Sequence, residues 1–262
     1  LHLLPLSIGE LHDAKISFDD FESYIVQGFL PRVYDQHQRP RTAYANYYQT
    51  YVEKDVRQLI QLKDVSLFEK FIKLLAGRVG QIINYQSLSN DVGVGAPTIK
   101  QWLSILEASF IIFKLPPYYK NFGKRVIKSP KYYFTEIGLL AYLLGIEKNT
   151  QVSRDPLVGN IFENLAVIEV LKSRYNQGRN AELYYFRDSN GNEIDLLCKT
   201  GDGLVGVEIK SASTWNNSFS KSLTNFSESN EKLAGRIVVY SGSRIDLSSG
   251  VQVRSYKDFV VS

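Results

Sequence analysis

Residues 193–210 read Glu193-Ile194-Asp195-Leu196-Leu197-Cys198-Lys199-Thr200-Gly201-Asp202-Gly203-Leu204-Val205-Gly206-Val207-Glu208-Ile209-Lys210. Two apolar runs rich in branched residues flank a Gly-containing turn, which predicts a β-hairpin with strands at Glu193–Lys199 and Leu204–Lys210. Side chains alternate along a strand, so Glu208 and Lys210 project one way while Val207 and Ile209 point into a core. With Asp195 on the neighbouring strand, two carboxylates and an ammonium on one face of a small sheet can hold a divalent ion and activate a water. Glu-x-Lys on a strand equally suits a solvated face with a cross-strand ion pair worth about 0–1 kcal/mol.

Outward from the hairpin, Leu157–Arg174 carries Phe162, Leu165, Ala166, Ile168, Val170 and Leu171 on a long predicted helix. A strand at Leu183–Arg187 precedes the hairpin. A helix near Lys221–Glu231 and strands at Arg236–Tyr240 and Val251–Ser255 follow it. Helix, three strands, helix, strand is the order of an α/β unit with a small mixed sheet. Polar residues Asn149 to Asp155, followed by Pro156, mark a boundary before it.

The preceding residues read as helical. Tyr47, Tyr51, Val52, Val56, Leu59 and Ile60 recur at helical steps between Tyr44 and Leu62, and Val65–Gly77 makes another helix. Asn84 to Leu103 has the outline of a helix-turn-helix: a short helix with Leu88, a turn with Gly93 and Gly95, and a second helix opening at Pro97. Strands at Phe110–Leu115 and Lys131–Thr135 enclose a loop and complete a wing. From Lys114 to Lys131 that wing holds six cations and no acid, interleaved with Tyr118, Tyr119 and Phe122. Lys100, Lys120, Lys124, Arg125, Lys128 and Lys131 are the candidate nucleic-acid contacts, since cations with aromatics suit a phosphate backbone and stacked bases. A solvated hairpin, or a helix-turn-helix that docks protein, fits the same residues. The expected organisation is 1–40, a remnant with an acidic patch and a loop from Pro31 to Pro40; 41–150, helical with a winged helix-turn-helix; and 151–262, the α/β unit. The fold class is α+β.

Several of these stretches together resemble a known family. The C-terminal order is similar to the PD-(D/E)xK nuclease-like fold, with Glu163 on the first helix, Asp195 on the second strand and Glu208-Ile209-Lys210 on the third. The whole chain resembles a prokaryotic family of predicted AAA+ ATPases whose C-terminal part is domain of unknown function 4143. Tyr51-Val52-Glu53-Lys54-Asp55-Val56, Leu75-Ala76-Gly77-Arg78-Val79-Gly80-Gln81, Lys128-Ser129-Pro130-Lys131-Tyr132-Tyr133-Phe134, Phe162-Glu163-Asn164 and Phe186-Arg187-Asp188 carry that likeness. It implies an ATPase core ahead of this chain as partner, with ATP bound there. No G-x-x-x-x-G-K-[ST] stretch is present, so the chain is expected neither to bind nor to hydrolyse ATP by itself. The resemblance implies Asp195, Glu208, Lys210 and Glu163 as the catalytic set, with Asp195 and Glu208 as ligands of Mg²⁺, and phosphodiester hydrolysis as the reaction. A non-catalytic interaction or regulatory module of the ATPase is the alternative.

Composition bounds these readings. Of 262 residues 44% are hydrophobic and 22% charged, the balance of a globular chain. The net charge of +4 sits in residues 1–150, with 18 Lys/Arg against 14 Asp/Glu, while 151–262 balance at 13 each. That favours an anionic partner, DNA among them. Cys198 is a single cysteine in an apolar strand, which suits a reducing, cytoplasmic compartment. No apolar run approaches the roughly 20 residues that span a bilayer, so no membrane partner is expected. Methionine is absent even at position 1: either the chain is a piece of a longer one or its methionine positions are missing from the sequence.

Overall fold

The computed structural model describes residues 3–56, 65–118, 129–229, 232–247 and 250–259. Helices α1 (Ile8–Asp13), α2 (Phe21–Gln27) and α3 (Pro31–Asp35) open the chain. Their starts are set locally: Ser7 and Glu10 form a reciprocal cap on α1, and the Asp20 carboxylate accepts the Ser23 N–H at 2.7 Å on α2. The expected loop from Pro31 to Pro40 is therefore helical over Pro31–Asp35, because Pro31 sits in a first turn whose missing N–H costs nothing.

Helix α4 (Pro40–Tyr47) runs into a π-helical stretch, Tyr48–Val56, where a continuous α-helix to Leu62 was expected. Residues 57–62 of that expected helix lie outside the described residues. Helix α5 (Val65–Ala76) buries Phe68, Phe71, Ile72 and Leu75. Helices α6 (Tyr85–Val92) and α7 (Ala96–Ala108) follow, joined by a turn in which Gly93 adopts φ +96°, a conformation that excludes most side chains. Trp102 on α7 packs edge-on against Phe68. Strands β1 (Ile112–Leu115) and β2 (Lys131–Phe134) pair antiparallel in a small sheet of their own.

Helix α8 (Ile137–Leu143) follows β2, and the polar stretch before Pro156 forms a further helix, α9 (Asn149–Arg154). Helix α10 (Val158–Asn176) then leads to a six-stranded mixed sheet, so the architecture is α+β. In chain order its strands are β3 (Leu183–Arg187), β4 (Glu193–Thr200), β5 (Gly203–Lys210), β6 (Gly235–Tyr240), β7 (Ile245–Asp246) and β8 (Gln252–Ser255), arranged β3-β4-β5-β6-β8-β7. β3, β4 and β5 are antiparallel neighbours. β6 lies parallel to β5 across the crossover helix α11 (Lys221–Ser229). β7, unforeseen in the sequence, is a two-residue edge strand, too short for an alternating pattern to register.

The sheet has a core on each face. Leu196, Cys198, Val207 and Ile209 join the larger core, which runs through α10 into the helices of the first 150 residues. Ile194, Leu197, Leu204 and Val238 face the other way, onto Leu223 and Phe226 of α11. The larger core is continuous along the chain: Phe21 packs edge-on against Phe162 and Tyr256, and the Lys172 ammonium reaches the Leu6 carbonyl at 2.7 Å. Gly138 on α8 marks a close approach within it, since a Cβ there would collide with the Tyr44 ring. Gly138→Ala is expected to cost about 1–3 kcal/mol by overpacking, read as a lower urea midpoint at unchanged slope.

Candidate functional site

Asp195, Glu208 and Lys210 meet at one end of the β4–β5 pair. Two local irregularities bring them together. Between the Tyr184↔Leu197 and Phe186↔Ile194 pairs the β3–β4 register shifts, so β4 carries one extra residue around Asp195. Such a bulge re-aims a side chain. On its other side β4 pairs with β5 only as far as Leu196↔Val207. Beyond that rung the Asp195 side chain takes over, its Oδ2 accepting the Ile209 N–H at 2.8 Å.

The Lys210 ammonium lies 3.3 Å from Asp195 Oδ2 and 2.7 Å from Glu208 Oε2. Glu208 lies on the α11 face of β5 and is 2% exposed, so this face is not the solvated one that Glu-x-Lys also allowed. Its second oxygen, Oε1, is buried and has no hydrogen-bond partner among the described residues. Burial and, next, the Asp195 charge push the Glu208 carboxyl well above the usual range, against the pull of Lys210. Burial alone would lower the Lys210 pKa; Asp195 and Glu208 more than offset it and hold the ammonium above the usual lysine value. One ammonium cannot neutralise two adjacent carboxylates, so the arrangement favours either a further cation or a proton at Glu208.

These three residues line an open cleft of about 510 Å³ with Glu193 on β4, with Ser218 in the turn before α11 and with Lys221, Ser222 and Asn225 on α11. Sequence reading missed that second wall, because nothing in residues 217–225 says which sheet edge the crossover helix will overhang.

Glu163 lies elsewhere. Its Oε1 accepts from the Tyr133 hydroxyl at 2.5 Å and from the Lys131 ammonium at 3.0 Å. Lys131 is 3% exposed and also pairs with Glu193 Oε1 at 2.7 Å, while Arg187 takes Glu193 Oε2 at 3.2 Å. Burial works against the Lys131 charge, but Glu163, Glu193 and Asp195 together raise its pKa above the usual value. Burial raises the Glu163 carboxyl, which Lys131 pulls back down. Glu193 therefore faces both the cleft and this buried cluster, and Lys131 is held inside the protein. Of the other candidate nucleic-acid contacts, Lys100 is exposed on α7, its ammonium 5.4 Å from the Tyr85 ring centroid. Lys120, Lys124, Arg125 and Lys128 lie outside the described residues.

Among the described residues no group of three or more His, Cys, Asp or Glu side chains is placed to hold a metal ion. Asp195 and Glu208 form a pair, which suits an ion that takes one or two carboxylates and keeps its waters. No described helix is long and apolar enough to cross a membrane.

A family model described as Domain of unknown function (DUF8612) matches residues 18–150. A second, Domain of unknown function (DUF4143), a domain associated with AAA-ATPase-like proteins, matches residues 158–259, which include the whole cleft. Uncharacterized proteins of Mycobacterium bovis and Mycobacterium tuberculosis are each 31% identical over 168 residues, 64% of this chain and 37% of the relative. An uncharacterized protein of Haemophilus influenzae is 24% identical over 225 residues, 80% of this chain and 52% of the relative. The chain thus spans about half, or less, of the length of these curated relatives. No solved structure matches it.

Proposed function

The chain belongs to the family described as Domain of unknown function (DUF8612), and on that premise we propose that it is a nucleic-acid-acting module. In this reading residues 158–259 carry a PD-(D/E)xK nuclease-like site for Mg²⁺-dependent phosphodiester hydrolysis. α6, α7 and the β1–β2 hairpin act as a winged helix-turn-helix on DNA, and an ATPase core with its ATP is the partner in the intact protein.

One observation carries the reading: Glu208 Oε1 is buried beside a second carboxylate and has no donor. Such an oxygen is costly to bury, and a hard divalent ion shared with Asp195 would satisfy it. Bound there, Mg²⁺ would polarise a phosphoryl oxygen and supply a water of lowered pKa. Lys210 would direct its ammonium at charge developing on the phosphate. Its raised pKa favours that role over proton abstraction. Glu163, engaged by Lys131 and Tyr133, would support the site from behind.

A second reading draws on α7. Its outward face carries Lys100 against Glu107, with Gln101 and Ser104 between them. That near-neutral face suits docking to protein, such as the ATPase core, better than to a phosphate backbone.

Calorimetric titration with Mg²⁺ and Mn²⁺ tests the site. Wild type is expected to bind either ion, and Asp195→Ala to lose both metal uptake and cleavage of duplex DNA. Absence of uptake by wild type, with and without DNA, would leave the interaction-module reading in possession.

A further inference from the structure

A cavity of about 330 Å³ lies between α2, α4 and α8, lined wholly from the first of the two matched segments and apart from the Asp195 cleft. Its size falls at the lower end of the roughly 300–1,000 Å³ typical of small-molecule sites. Val26, Ala141, Ile146 and the rings of Tyr44 and Tyr142 make an apolar wall. That wall is set in advance of any ligand. Gly138 lets the Tyr44 ring lie close to the α8 backbone, and the Tyr44 hydroxyl donates to Glu136 Oε1 at 2.8 Å. Glu136 stands behind the ring and is not part of the lining.

The polar part of the lining is cationic. Arg41 on α4 pairs with Glu147, beyond α8, and this exposed ion pair ties two walls together at the solvent side. The Arg39 guanidinium and the Gln27 side-chain amide make no hydrogen bond or ion pair among the described residues. We propose that the cavity binds a small aromatic carboxylate, its ring against Tyr44 and Tyr142 and its carboxylate on Arg39 and Gln27. Arg39, Arg41 and Glu147 leave one net positive charge on the lining, the match of a monoanion. A guanidinium presents parallel N–H groups to the two oxygens of a carboxylate, and the Gln27 amide adds a further donor. A phosphate monoester, with roughly two charges and more oxygens to satisfy, would meet a single unpaired guanidinium and an apolar wall. The exposed Arg41–Glu147 pair is weak enough to part as the ligand enters. Binding here is independent of any metal at Asp195.

The probes are phenylacetate and its neutral isostere phenylacetamide, each titrated into the full chain and followed by saturation-transfer NMR. Wild type should bind the acid about tenfold more tightly than the amide, about 1.4 kcal/mol. Arg39 is exposed, so Arg39→Met should fold normally, bring the acid down to the affinity of the amide and leave the amide unchanged. Arg39→Lys, which keeps the charge but not the planar fork, should retain part of the gain. Val26→Trp, which fills the cavity from a half-buried wall position, should abolish binding of both probes, with its urea midpoint showing that the chain is folded. Equal affinity of wild type for acid and amide overturns the assignment. So does an acid affinity that survives Arg39→Met, or binding of either probe that survives Val26→Trp. Absence of binding of both probes to wild type overturns the site itself.

Discussion

Lys131→Met is expected to lower the unfolding free energy by about 3–5 kcal/mol, the cost of breaking a buried ion pair from one side. The ammonium sits between Glu163 at 3.0 Å and Glu193 at 2.7 Å and lies 5.4 Å from the Tyr185 ring centroid. Methionine fills similar volume but leaves Glu163 to the Tyr133 hydroxyl and Glu193 to Arg187, with the Asp195 charge nearby. Glu163, whose carboxyl burial already raises, loses the pull of Lys131 and is raised further, so the folded variant binds more protons than folded wild type. Stability of the variant should consequently rise more steeply than that of wild type as the pH falls. Urea unfolding of the single variants and of Lys131→Met with Glu163→Gln completes a double-mutant cycle. A coupling energy near zero would show that Lys131 is held by packing alone.

Glu208→Gln should act in the opposite sense on stability and abolish metal uptake. An amide can donate to Asp195 where the carboxylate leaves an oxygen unsatisfied, so the metal-free variant should be more stable at neutral pH by about 1–3 kcal/mol. The sign with pH follows from the raised Glu208 pKa. Its contribution is fully present below the unfolded glutamate value of about 4.3 and is lost as pH rises through the folded value. In that window metal-free wild type should lose up to about 1.4 kcal/mol per pH unit from this group, and Glu208→Gln should lack this term. Metal uptake must displace the same proton, so affinity should rise with pH and proton release should appear in calorimetry as a dependence on buffer ionisation heat. A wild-type affinity independent of pH through this window would contradict the shared-proton arrangement.

The strands of the sheet were legible because alternation registers when one face is buried. Glu193–Lys199 and Leu204–Lys210 are strands with Val207 and Ile209 in the core. Asp195, Glu208 and Lys210 were readable as neighbours for the same reason. The β4 bulge was not, since an extra residue leaves no mark in a run as apolar as Leu196-Leu197-Cys198. Lys131 carried the charge of its stretch into the expected phosphate surface, and its burial depends on Glu163 and Glu193, 32 and 62 positions away. Pattern reading counts charges; it does not pair them over such distances. The helices at Pro31–Asp35 and Asn149–Arg154 are short, and their polar composition resembles that of loops.

The core that joins Phe21 to Phe162 and Tyr256 has a consequence for heredity. The two family matches, 18–150 and 158–259, divide the sequence where the packing does not. What is recognisable as two segments is inherited under one set of constraints. A substitution at Phe21 has to be absorbed on α10 and beyond β8, and one at Lys131 has to be absorbed at the mouth of the cleft. Recombination that exchanged only one of the two segments would have to bring compatible partners for both contacts with it, so these two stretches of gene are expected to travel together.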